Sequence, residues 1–197
     1  MRLRAGIAIV VLMLAGACGG SGSPKDDPTS ATQVPSASEP ATDELVAAPG
    51  AIGPVRVGMT VDDANATGLF EPRDVPDDDP CKEAYASIQW KPPNTDALMV
   101  AVDQDDRIAL LGIRESVKTA TGVGVGSTLA DVKAAYPDAK VEESQADGST
   151  IYRQDGEKWL AIAFVETPDT IKDSSKVVFM EAAAGEKPAA YLSGCSY

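Results

Sequence analysis

The chain has 197 residues, of which 44% are apolar, 17 are basic and 30 are acidic, for a net charge of −13. That length suits one domain or a small tandem pair with an ordinary core, and the charge repels nucleic acid and anionic headgroups, so no nucleic-acid partner is expected. Histidine is absent, which removes the commonest general base, the serine–histidine triad and the usual zinc ligand.

In chain order, Arg2 and Arg4 precede an apolar run of 13 residues, Ala5 to Ala17. A permanent membrane helix needs about 20 such residues. The short run with its basic flank and small-residue end reads as a secretory signal peptide over 1–17. Ala15-Gly16-Ala17 would also satisfy ordinary signal peptidase. Leu14-Ala15-Gly16-Ala17-Cys18 resembles the bacterial lipobox, with one departure: three residues before the cysteine stands Ala15, where leucine is usual, and Leu14 lies one step earlier. The resemblance implies cleavage ahead of Cys18 and acyl chains, such as palmitate, on that residue. With Arg2 and Arg4 gone and no acid lost, the charge of −13 becomes −15. One acyl chain holds marginally, at about 0.8 kcal/mol per buried CH₂, and two or three hold firmly. The expected location is therefore the extracytoplasmic face of the cell membrane.

From Gly19 to Glu44 the chain is Gly, Ser, Pro, Thr, Ala and acid, with Val34 its one large apolar residue. Such a segment cannot bury enough surface to offset its ordering entropy. Residues 18–44 therefore read as a disordered tether, stiffened by Pro24, Pro28, Pro35 and Pro40. At about 3.1 Å per residue it reaches at most about 80 Å. Its Ser, Thr and Pro also suit O-linked sugar. Of the three cysteines, lipidation takes Cys18, and export to an oxidising space predicts a Cys81–Cys195 disulfide closing a loop of 113 intervening residues. Chain entropy assigns such a bond about 4.7 kcal/mol for a loop near 100 residues, less any strain.

Residues 45–197 are expected to form the folded domain. Within it "PVRVGMTVDDANATG", 54 to 68, and "GVGVGSTLADVKAAY", 122 to 136, share a pattern at an offset of 68. Val55, Val57, Gly58, Thr60 and Asp63 align with Val123, Val125, Gly126, Thr128 and Asp131. Alternating valines predict a strand and the glycine a turn. The threonine predicts an N-cap with the aspartate at N3, and a short helix follows over Val61–Thr67 or Leu129–Tyr136, stopped by Gly68 or Pro137. Further strands are expected over Ala84–Trp90, Ala97–Asp103 and Arg107–Arg114, and over Lys140–Ser144, Ser149–Gln154, Lys158–Glu166 and Lys176–Ala182. Turns are expected at 103–106 and 154–157, the second with an Asp-Gly signal. The expected class is α+β. It comprises two pseudo-repeats, about 51–118 and 119–197, each a short strand, a helix and an antiparallel meander, with the helices packed on the sheet.

Gly58-Met59-Thr60, and Gly126-Ser127-Thr128 with serine for methionine, each between a strand and a short acid-bearing helix, resemble lipoproteins of the SmpA/OmlA outer-membrane assembly family. They also resemble the tandem-repeat β-lactamase inhibitor proteins. The resemblance implies an acylated surface protein whose helices lie against an antiparallel sheet and whose fold supports protein binding. It carries no interface residue over.

Several groups have the residue types of a site. Asp77, Asp78 and Asp79, or Asp103, Asp105 and Asp106, have calcium-binding chemistry but lack EF-hand spacing, and read as an acidic loop and a hairpin turn. Glu142 with Glu143, and Asp169 with Asp173, have the chemistry of an acid/base pair but read as surface charge. "GVGVG" at 122–126 lacks the Lys-Ser/Thr of a phosphate loop. Its glycines suit close backbone approach. No metal and no cofactor is expected. In "KWLAIAFVE" both faces are apolar, which predicts a central strand with Trp159, Ala161 and Ala163 on one side. Core packing is the first expectation for Trp90 and Trp159. An exposed aromatic patch of Trp90 with Tyr85, Tyr152 and Tyr191 is the candidate binding surface. The function expected is non-catalytic binding of an envelope partner, such as a protein. The alternatives are an envelope enzyme using carboxylates and a carrier of a small apolar ligand.

Overall fold

Thr60 and Thr128 set the two helices. Each has extended backbone, with ψ of 156° and 161°, and turns its hydroxyl oxygen to accept the N–H of the residue three ahead, Asp63 at 3.1 Å and Asp131 at 3.2 Å. Asp131 answers by accepting the Thr128 N–H at 2.8 Å and hydroxyl at 2.7 Å, completing a capping box. These bonds, the hydroxyl's first and the amide's second, hold the Asp131 carboxyl below its usual range. The computed structural model describes residues 45–74, 87–145 and 148–190. Helix α1 is Val61–Ala66 and α2 is Leu129–Ala135. The second ends at Tyr136, which has left the helical region (φ −133°, ψ 80°) as a residue before proline must. Thr128→Ala should cost about 1 kcal/mol in chemical denaturation, the usual loss for a deleted cap.

Strands supply the rest. In chain order they are β1 (Val46–Ala48), β2 (Ala51–Ile52), β3 (Val55–Arg56), β4 (Phe70–Pro72), β5 (Ile88–Trp90), β6 (Leu98–Val102), β7 (Ile108–Ile113), β8 (Lys118–Thr119), β9 (Val141–Glu143), β10 (Ser149–Asp155), β11 (Lys158–Phe164) and β12 (Phe179–Ala184). The fold is thus α+β and strand-rich, with two short helices among the described residues. Six strands form one antiparallel sheet in the order β6-β7-β12-β11-β10-β9. A smaller sheet, β3-β2-β1-β8, closes on a parallel β1–β8 pair, and β4–β5 is a separate hairpin. No helix among the described residues is long and apolar enough to cross a membrane.

β11 lies inside the six-stranded sheet, as its two apolar faces require. Leu160, Ile162 and Phe164 join Ile151, Met180, Leu111 and Ile113 in the main core, which also takes Ala64 of α1 and Leu129 and Val132 of α2. The helices therefore share one core with this face. Ala161 and Ala163 point the other way, to Phe179 and Ala190.

The two glycine–threonine turns are tied down by parallel sets of bonds. Gly58 and Gly126 both have left-handed backbone, φ 85° and 87°, where a side chain would be strained. Gly58 N–H donates to the Ile108 carbonyl and Ile108 N–H to that of Met59; Gly126 donates to Val177 and Val177 to Ser127. Thr60 bridges Arg107, and Thr128 bridges Lys176. Two expectations shift here. Val123–Val125 is no strand: Gly124 only bridges Lys118, approaching so closely that a Cβ on it would lie 2.8 Å from the Lys118 Cγ. The strand expected from Lys176 begins at Phe179, because Lys176 and Val177 are spent on the α2 turn.

Candidate functional site

The sheet face away from the helices has a floor of small residues. Register aligns Met99, Gly112, Glu181, Ala161 and Tyr152 in one row across β6, β7, β12, β11 and β10. Behind it lie Ala163 opposite Phe179 and Thr150 opposite Ala163. A Cβ on Gly112 would lie 2.9 Å from the Phe179 ring, so this position stays bare.

Over the floor runs the segment after β12, Gly185 to Ala190. Side chains of the sheet hold it by its main chain. Trp159 Nε1–H donates to the Gly185 carbonyl at 3.0 Å, the Tyr152 hydroxyl to that of Pro188 at 3.0 Å, and the Ser144 hydroxyl to that of Ala189 at 3.1 Å. The Ala190 backbone N–H faces the Glu181 carboxyl and favours its charged form. Ala190 is 2% exposed and left-handed at φ 55°, a conformation that costs a non-glycine residue about 1 kcal/mol or more. One side chain of the strap is read as well. The Lys187 ammonium pairs with Glu142 and stands 4.0 Å from the centre of the Tyr152 ring, a cation–π distance. Tyr152 and Trp159 meet edge to face, centroids 6.1 Å apart.

Burial sets the electrostatics of this face. Glu181, 3% exposed, has its carboxyl pushed up to about 7 by desolvation, against which the Ala190 N–H pulls weakly. Burial likewise raises the Tyr152 phenol. The Thr150 hydroxyl, fully buried beside that phenol, meets no partner at hydrogen-bonding geometry.

Of the expected surface aromatics, Tyr152 is on this face, while Trp90 is not a surface residue. Trp90 is 1% exposed, packs on Phe70 with centroids 4.4 Å apart and donates its N–H to Met99. An indole between the β4–β5 hairpin and β6 gains more from burial than from display. Tyr85, Tyr191, Cys18, Cys81, Cys195 and the run Asp77–Asp79 lie outside the described residues. Asp103 accepts the N–H groups of Asp105 and Arg107, so it organises the turn. Glu142 is committed to Lys187 and Asp173 to Lys133. Among the described residues no three His, Cys, Asp or Glu side chains are grouped to hold a metal. A cleft of about 260 Å³ at the β9–β10 edge is lined by Asp138, Lys140, Glu142, Tyr152 and Arg153 among others, and one of about 330 Å³ by Thr60, Asp62, Asp105 and Asp106 among others; the lining of both is rich in charge.

Sequence reasoning missed Glu181 and Lys187. The available signal for Glu181 was an acid standing alone in the apolar strand "FMEAAA". Lys187 sits in "GEKPAA", which has no periodicity to mark it. No protein-family model matches the chain, and no curated protein or solved structure is significantly similar to it.

Proposed function

We propose that this chain is a lipid-anchored lipoprotein of the cell envelope, held on the extracytoplasmic face by acyl chains on Cys18, whose folded part is a non-catalytic binding module. The observation that carries the reading is the switch from the apolar run ending at Ala17 to small polar residues and proline directly after Cys18. An anchor followed by an extended tether presents a domain rather than a reaction centre. A sheet face with an aromatic pair and a set of main-chain-reading hydroxyls suits that role. In this reading Cys81 and Cys195 form a disulfide, and the partner is another envelope protein. The two Gly-x-Thr units, with their corresponding bonds to Arg107–Ile108 and Lys176–Val177, descend from one repeated unit of the kind seen in the SmpA/OmlA and β-lactamase-inhibitor families.

Intact-mass spectrometry of the protein from bacterial membranes tests the anchor. The expected species begins at Cys18, carries two or three acyl chains and gains two hydrogens on reduction. Cys18→Ala should lose the acyl mass and move the protein from the membrane fraction to the soluble one. An unprocessed leader, or acyl mass surviving in the variant, overturns the reading.

A further inference from the structure

The strap from Gly185 to Ala190 is bound in the manner of a ligand. From Glu186 onward, among the described residues, the sheet holds it by side chains reaching main-chain atoms, with no strand ladder joining the two. The carbonyls of Gly185, Pro188 and Ala189 are each taken by a side chain, a pattern indifferent to side-chain identity and open to any extended segment. The exception is Lys187, whose ammonium is read by the Glu142 carboxylate and the Tyr152 ring. Beneath lies a floor of Ala161 and Ala163, packed with Phe179 against Ala190. The strap also ends in a strained residue, Ala190.

We propose that this sheet face is a binding site for an extended, lysine-bearing peptide segment of a partner protein, and that the chain's own Gly185–Ala190 occupies it in cis as an autoinhibitory mimic. The proposal deepens the binding-module reading by naming the surface and the partner's chemistry. The acidic chain, at −13, favours encounter with a basic segment. Recognition is by main chain plus one charged side chain, so affinity depends on an extended backbone and on the lysine, and little on the residues between. A segment tethered in cis competes at an effective concentration of about millimolar, so the closed protein takes a partner weakly and the opened protein takes it well.

The test uses the full chain and a synthetic peptide, Gly-Glu-Lys-Pro-Ala-Ala, read by the fluorescence of Trp159, whose indole N–H contacts the first residue of the strap. In Lys187→Glu the strap faces Glu142 with like charge and is driven off. This variant should bind the peptide at least about ten-fold more tightly than wild type. A peptide with glutamate for lysine should not bind it. Adding Glu142→Lys should restore the cis contact and shut out the lysine peptide. Circular dichroism reports folding of each variant, and Lys187→Ala is the milder opening if the charge reversal fails to fold. A folded variant that binds the peptide no better than wild type, or that binds both peptides equally, overturns the proposal. Acylation of Cys18 is read separately, so failure here leaves the anchored-lipoprotein reading standing, and the reverse.

Discussion

Glu181→Gln should stabilise the protein above pH 7 and leave it nearly unchanged at pH 4. The wild-type carboxyl moves from 4.5 in the unfolded chain to about 7 in the folded one. A raised carboxyl pKa means the folded state holds its proton more tightly. Stability contributed by the protonated acid is therefore fully present below pH 4.5. It is lost as pH climbs through the window from 4.5 to about 7, and is absent above it. At about 1.4 kcal/mol per pH unit the loss comes to about 3 kcal/mol. The Ala190 backbone N–H faces the carboxyl, and the carboxylate's charge is felt by the Tyr152 phenol. Glutamine keeps an acceptor for the Ala190 N–H and has no proton to lose. Urea unfolding at pH 4, 6 and 8 decides the matter. Wild type should weaken across the series while the variant stays flat, and parallel curves for the two would refute the assignment.

Ile162→Ala should be the most damaging single truncation in the sheet, at about 4 kcal/mol. The residue is fully buried in β11, with strands on both sides and the helix core beneath it. Removing three carbons there loses transfer free energy and leaves a cavity that neighbours on all sides are too constrained to fill. Val165, just past the end of the same strand, is 63% exposed, and Val165→Ala should change stability by no more than about 0.5 kcal/mol. Guanidinium denaturation of the pair measures both. Equal effects would mean that β11 is not central.

Local chemistry accounts for what was legible in the sequence. Thr60, Thr128 and the aspartates at N3 fixed both helix starts to the residue, since a cap is a contact between near neighbours. Two apolar faces marked "KWLAIAF" as an interior strand. The hairpin turns at 103–106 and 154–157 followed from Asp and Gly. Of the smaller sheet only β3 was marked, by Val55 and Val57. β1, β2 and β8 have two or three residues each, too few for alternation to show, and the β1–β8 pair is parallel between residues some seventy apart. The candidate site was hidden for a similar reason. Lys187, Glu142 and Tyr152 converge only through the return of an irregular segment over the sheet. Trp90 takes the core place that was its first expectation and so drops out of the candidate aromatic patch; aromatic character alone fits burial and display equally well, and only the pairing of β4 with β5 decides.

The place of β12 has a consequence for biogenesis. It is the last strand described along the chain, yet it is third in the six-stranded sheet, where it stands between β7 and β11. Nascent polypeptide lacking it therefore exposes two unzipped edges and cannot close the barrier to water. Folding of the sheet therefore waits on a strand distant in sequence from its partner β7, and until β12 arrives the open edges of β7 and β11 invite intermolecular edge pairing.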